Sequence, residues 1–362
     1  MNEPTVIARK QGRAGRITLN RPKALHSLNS DMVKRMTDAL LKWEDDDSVE
    51  LIVVDHAEGT RGFCAGGDVR MLAESGAQGG KEAREFFAGE YRLNTLIKEY
   101  PKPYVAIIDG VTMGGGVGIS VHGDYRVATP NTLFAMPESG IGLFPDVGGG
   151  WFLPRLPGRL GVYLAMTGGR LSGADCCAVG LADVYIPQER LEDAMEMLGN
   201  LEPGAGREAA MGVLDVFAAK PPAAKITDLQ PEIDRLFAGE TVEDIFNALF
   251  ADPGENAQKW AKAMATKSPT SLKVSLEQLR RGAGKPLDEV LAMEFRLSQA
   301  FCADHDFFEG VRALIVDKDN RPDWQPSTHA GVTDERVASY FLPAAAGELS
   351  FDPPVRRYTG AD

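Results

Sequence analysis

Two carboxylates stand alone in an apolar, turn-rich stretch, "FAMPESGIGLFPDVGGGWFLPRLPGRLG", where Glu138 and Asp146 are eight positions apart. Gly140, Gly142 and Pro145 lie between them and forbid a regular helix, so the segment is expected to turn and carry both acids to one pocket. Two nearby carboxyls push their ionisation apart, which suits one of them to nucleophilic or general-base work. A structural alternative stands beside this reading: Asp146 caps a turn ahead of the following glycines, and Glu138 pairs with an arginine such as Arg126.

Two glycine-rich turns supply a second chemical element, "CAGGD" at Cys64 to Asp68 and "MGGGVG" at Met113 to Gly118. Each follows an apolar strand pattern. Glycine lets main-chain N–H groups approach a ligand closely, and those at a helix start carry the positive end of the macrodipole. Two such turns suit an oxyanion hole. On either motif alone, tight helix–strand packing is the stronger explanation of the glycines.

Other signatures fail. In "GGGVGIS" the last position of a dinucleotide fingerprint falls on Ile119, and there is no Walker A sequence. "GISVH" misses the nucleophile elbow because His122 ends it, and Ser120 and His122, two apart, cannot face each other on a helix. Five scattered histidines without H-E-x-x-H argue against a catalytic zinc, so no metal is expected. His122 and Asp124 read as partners of core polar groups.

The elements that must position these groups follow from periodicity. "TVIARKQGRAGRITLN" reads as a hairpin, and "NSDMVKRMTDALLKWEDDD" as a helix with Met32, Val33, Met36, Leu40 and Trp43 inward and Asn29 or Ser30 as N-cap. Strands at "LIVVD" and "PYVAIIDG" precede the two glycine turns, a helix spans Lys81 to Glu99, and helices are expected at Leu160 to Thr167 and Cys176 to Gly180. The order strand, glycine turn, helix indicates α/β. From about Ala209 the chain turns helical, with breaks at Pro221, Pro222 and Pro231, and a last helical block runs from Glu255 to Val316.

Composition narrows the class. With 44% hydrophobic and 25% charged residues and no apolar run near the roughly 20 residues of a bilayer span, no membrane association is expected. A net charge of −13 argues against a nucleic-acid partner. The first twenty residues lack the pattern of a secretory signal, and Cys64, Cys176, Cys177 and Cys302 form no C-x-x-C pair, so a cytoplasmic protein with reduced thiols is expected.

"FCAGGDVRML", "IIDGVTMGGGVGISVHGDYRVAT" and "FAMPESGIGLFPDVGGG" together resemble the crotonase, or enoyl-CoA hydratase/isomerase, superfamily. The likeness runs from "ITLNRPKALHSLN" to about Leu181 and resumes at "KSPTSLKVSLEQLRRG" and "DFFEGVRALIVDKDNRPDW". It implies a ββα spiral core with a C-terminal helical region: 1–200 as core with the active site, 201–255 as a helical linker or insertion, 256–326 completing the acyl-CoA site, and 327–362 as a tail. It also implies an acyl-CoA ligand, with coenzyme A entering as part of the substrate and no separate cofactor, and a possible homo-oligomer.

Carried over by position, the oxyanion donors are the N–H groups of Gly67 and Gly115, Ala65 lies by the adenine, Glu90 faces the acyl group, and Lys23 and Lys318 are the basic candidates for coenzyme A. Relatives that hydrate a double bond carry two glutamates; the first of those positions here is Gly118 and the second is Glu138. Asp146 completes the pattern "MPE…GLFPD" of members that hydrolyse 3-hydroxyacyl-CoA thioesters. The resemblance therefore implies hydrolysis of 3-hydroxyisobutyryl-CoA, or a close short 3-hydroxyacyl-CoA, in valine breakdown, with Glu138 as nucleophile or as base for water. A hydratase or isomerase of the same fold and a non-catalytic acyl-CoA binder are the alternatives.

Overall fold

The computed structural model describes residues 3–344 and 347–351. Val6–Gln11 (β1) and Ala14–Leu19 (β2) form the expected hairpin, turned at Gly12 with φ +58°, where only glycine is unstrained. Leu51–His56 (β3), Tyr104–Ile108 (β4), Tyr125–Ala128 (β6) and Val184–Tyr185 (β9) then add in parallel to make the six-stranded sheet β1-β2-β3-β4-β6-β9. Val111–Met113 (β5), Leu133–Ala135 (β7) and Leu171–Ser172 (β8) form a second, three-stranded sheet. Successive turns of chain place one strand in each sheet and then a helix, the ββα spiral expected from the sequence.

Strand alternation explains how both faces of the large sheet are covered. Ile17, Leu19, Ile52, Val54, Ala106 and Ile108 point into the main core. Leu51, Val53, Val105, Ile107 and Val127 point the other way, under helices Leu191–Gly199 and Gly206–Phe217. The second of these helices comes from the segment expected to be a linker, and it is needed there because a buried parallel sheet leaves no face to water.

Ser30–Glu44 (α1) is capped by Asn29, whose side chain accepts the Met32 N–H at 2.9 Å, and buries all five apolar residues read from the sequence. Val69–Gly76 (α2), Lys81–Lys98 (α3) and Gly115–Val121 (α4) follow the two glycine turns and the loop between them. Beyond the spiral, Pro269–Gly282, Leu287–Phe301 and His305–Val311 fold back on it. One expectation fails: Pro231 does not break the chain but sits inside helix Lys225–Leu236. It removes one backbone bond, a penalty of about 3 kcal/mol. Burial of Ile226, Ile233 and Leu236 on the same helix offsets it.

Candidate active site

Backbone pairing sets the first glycine turn. Cys64 N–H donates to Val111 O at 2.9 Å and Met113 N–H to Cys64 O at 3.0 Å, tying the turn to β5. Leu28 N–H donates to Gly66 O at 2.7 Å and Asp68 N–H to Leu28 O at 2.8 Å. These bonds flank Gly67, so its own N–H points away from Leu28 and finds no acceptor among the described residues. Asp68 also caps α2 and is paired with Arg21 at 2.6 Å.

The second turn ends in Gly114, at φ +45° and ψ −120°, and hands over to Gly115, the first residue of α4. An N–H at that position has no intrahelical acceptor, and none other is found for it among the described residues. The turns touch: a Cβ built on Gly66 would stand 4.0 Å from Gly115 N. Two unused donors thus face one space.

Glu138 opens the 3-10 turn Glu138–Ile141, which closes at Gly142 in the left-handed region, φ +69°. There a Cβ would meet Asp306 O at 2.2 Å, so the C-terminal helices leave room for glycine alone. Val147 and Gly148 follow Asp146 with φ +51° and +86°. Their strain is held by distant groups: Glu294 accepts the Gly148 and Gly150 N–H groups at 2.7 and 2.9 Å, Gln278 donates to Pro145 O at 2.7 Å, and His122 Nε2–H donates to Val147 O at 2.8 Å. Capping of the glycines therefore falls to Glu294, and Arg126 pairs with Asp183, not Glu138. The Asp146 carboxylate instead accepts a hydrogen bond from Tyr91 of α3 at 3.3 Å.

A cavity of about 410 Å³ collects these groups. Ala65, Gly67, Glu90, Gly115, Glu138 and Asp146 all line it, beside Phe86, Phe87, Leu143 and the C-terminal residues Lys267, Leu314 and Ile315. Two sequence candidates lie outside that lining. Lys23 is exposed on the turn Pro22–Ala24, adjacent to Leu25, whose carbonyl accepts the Ala65 N–H, and Lys318 is exposed with φ +58°. Sequence reasoning missed Lys267, Arg170 and Tyr91 in or against the cavity, and Glu294 and Gln278 behind it. Lys267 and Gln278, both in the family-like "KSPTSLKVSLEQLRRG" segment, carried a local signal.

Three buried carboxyls share the site. Burial pushes Glu90 well above the usual range, reinforced by Asp146 and Glu138. Glu138 is also pushed well up by burial and by Asp146, with Lys267 opposing. Burial raises Asp146 to about 7. Glu294 rises to about 8 through burial, despite its two backbone donors. One Glu138 oxygen and one Glu90 oxygen are buried with no hydrogen-bond partner among the described residues. Among the described residues no group of three or more His, Cys, Asp or Glu is arranged to hold a metal ion.

At position 118, where the resemblance expects the first glutamate of a hydratase pair, a Cβ would lie 2.6 Å from Val147 Cβ and 3.0 Å from Asn94 Nδ2, so a larger side chain has no room.

The sequence profile of the enoyl-CoA hydratase/isomerase family matches residues 14–341. The chain belongs to that family. It is 48% identical over 341 residues to the 3-hydroxyisobutyryl-CoA hydrolase, mitochondrial, of Danio rerio, covering 93% of this chain and 89% of the relative. Among solved structures it resembles a carnitinyl-CoA dehydratase from Mycobacterium thermoresistibile, with TM-score 0.91, 43% identity and coverage of 97% and 99% of the two chains. It also resembles an enoyl-CoA hydratase from Rhodobacter sphaeroides, with TM-score 0.88, 40% identity and coverage of 96% and 100%. Membership makes an acyl-CoA the ligand class. No helix of the described residues is long and apolar enough to cross a membrane.

Proposed function

We propose that this chain hydrolyses the thioester of 3-hydroxyisobutyryl-CoA, or of a close short 3-hydroxyacyl-CoA, to the free hydroxy acid and coenzyme A, a step of valine breakdown. One observation carries the reading: Glu138 and Asp146 share a cavity with two unused N–H donors, while position 118 has no room for another acid. The likeness to hydrolases at up to 48% identity supports it.

In this reading the thioester carbonyl oxygen sits between the N–H groups of Gly67 and Gly115, which stabilise the oxyanion as the carbonyl carbon is attacked. Glu138 attacks directly, forming an acyl–glutamyl anhydride as the C–S bond breaks and coenzyme A leaves as thiolate; water then cleaves the anhydride. Alternatively Glu138 takes a proton from water as water attacks, and that proton passes to the thiolate. Turnover in ¹⁸O water tests the first route: attack of water on the glutamyl carbonyl of the anhydride labels the Glu138 carboxylate, which the general-base route never does. Asp146, held by Tyr91, orients the 3-hydroxyl, Glu90 faces the acyl group, Ala65 lies at the adenine, and Lys23 meets a coenzyme A phosphate. No further cofactor is needed. The four unpaired thiols fit a reducing compartment, which we take to be the cytoplasm; the Danio rerio relative is a mitochondrial protein.

The test is thiol release from 3-hydroxyisobutyryl-CoA, with hydration of crotonyl-CoA as control. We expect Glu138→Gln to lose at least about a hundredfold in kcat while acyl-CoA binding persists. Hydration without thiol release would instead support the reading suggested by the two solved structures, and binding without turnover the non-catalytic one.

A further inference from the structure

Three buried carboxyls around one cavity cannot all be charged, and a reacting Glu138 must be. The charges facing it come from four elements: Glu90, with Tyr91 beside Asp146, from α3; Asp146 from its own loop; Arg170 from the turn after helix Leu160–Thr167; and Lys267 from the turn before helix Pro269–Gly282. Arg170 is exposed, so solvent screens it. Lys267 is half-buried in the wall of the cavity.

The placement of Lys267 is built. Ser268 N–H donates to Ser139 O at 3.2 Å, joining the chain beside Lys267 to the residue after Glu138, and Ser268 Oγ is anchored on buried Asp306 at 2.5 Å. Lys267 Nζ lies 3.3 Å from a Cβ built on Gly140 and 3.5 Å from one built on Gly168, so it fills the gap between the Glu138 turn and the end of helix Leu160–Thr167. Among the described residues no carboxylate stands within 4.0 Å of this ammonium, so no salt bridge consumes its charge.

We propose that Lys267 is a positioning residue for the hydrolysis, its ammonium supplying the local positive charge that keeps Glu138 ionised once an acyl thioester fills the cavity and excludes water. Lys267 and Glu138 line the same cavity, and an opposite charge nearby favours the charged carboxylate; the ammonium opposes the upward push that burial gives Glu138. Asp146 is helped by the Tyr91 hydroxyl and Glu90 by neither that group nor a cation, so Lys267 is the cation placed for Glu138. This inference rests on the hydrolase reading.

The experiment compares Lys267→Met, Lys267→Arg and wild type by the pH dependence of thiol release, and by infrared titration of the Glu138 carboxyl, with Glu138→Gln to assign the band. Without the ammonium, ionisation needs a higher pH. Lys267→Met should lose about tenfold or more in kcat on the acid side of the profile and little on the alkaline plateau. Its Glu138 band should titrate at higher pH, and Lys267→Arg should restore both. A uniform loss across pH, a rise in KM with an unchanged profile, or an unmoved Glu138 band overturns the proposal. If Lys267→Met fails to fold, Lys267→Gln takes its place under the same criteria. If wild type releases no thiol, the hydrolase reading fails by itself, and the infrared titration still decides what Lys267 does to Glu138.

Discussion

At the scale of single residues, the site keeps its acids at the expense of stability. Asp146 is raised by burial from an ordinary 3.8 to about 7, so its folded form prefers to be neutral. For a group raised in this way, the stabilising contribution is complete below the unfolded value and is lost as pH rises through the folded one. Asp146→Asn removes that dependence. Its melting temperature should match wild type near pH 4, gain steadily between about pH 4 and 7, and stay several degrees higher at pH 8, while thiol release falls about a hundredfold or more. Calorimetry across pH checks this; a constant difference in melting temperature would show that Asp146 is not held neutral by its surroundings. That Glu138, Asp146, Gly67, Gly115, Glu90 and Ala65 line one cavity agrees with the expectation, carried for the first four by their motifs and for Glu90 and Ala65 by the resemblance. Lys267 carried only the signal of its family-like segment, with nothing to bring it to Glu138 from about 130 positions away, and Tyr91 looks like any buried aromatic on a helix.

Among elements, the strand and helix patterns of the spiral were readable because period and capping chemistry agree, as in α1 with Asn29. What could not be read was the support of the strained loop after Asp146. Val147 and Gly148 stay at positive φ because Glu294 and Gln278, on two C-terminal helices, take the loop's free N–H and C=O groups. Such a long-range hydrogen bond leaves no periodic trace. Glu294→Ala should orphan two buried N–H groups at about 1–3 kcal/mol each. Urea unfolding should record that loss, and kcat should fall more than KM rises as Asp146 loses its place. An unchanged kcat in a folded variant would separate the loop's support from the chemistry.

On the scale of the whole molecule, the sequence suggested a core followed by a linker, a completing helical region and a tail, yet packing runs across those boundaries. The main hydrophobic cluster is continuous from Val6 to Phe351, and helix Gly206–Phe217 of the expected linker seals the far face of the sheet. Gly142 lies against Asp306, and Leu314 and Ile315 wall the cavity that Gly67 and Gly115 open. Neither part can bury its apolar surface or complete the site without the other, so they should unfold together. The four tryptophans make this testable: Trp43 is buried on α1, Trp151 lies beside the Asp146 loop, Trp260 packs in the later helices against Tyr163, and Trp324 follows them. Variants keeping Trp43 alone or Trp260 alone should give the same urea midpoint by fluorescence, coincident with the far-ultraviolet signal of that variant. Loss of thiol release should follow the same curve. Separate midpoints for the two reporters would show that the C-terminal helices unfold as a unit of their own, and that the boundary near residue 255 is a real one.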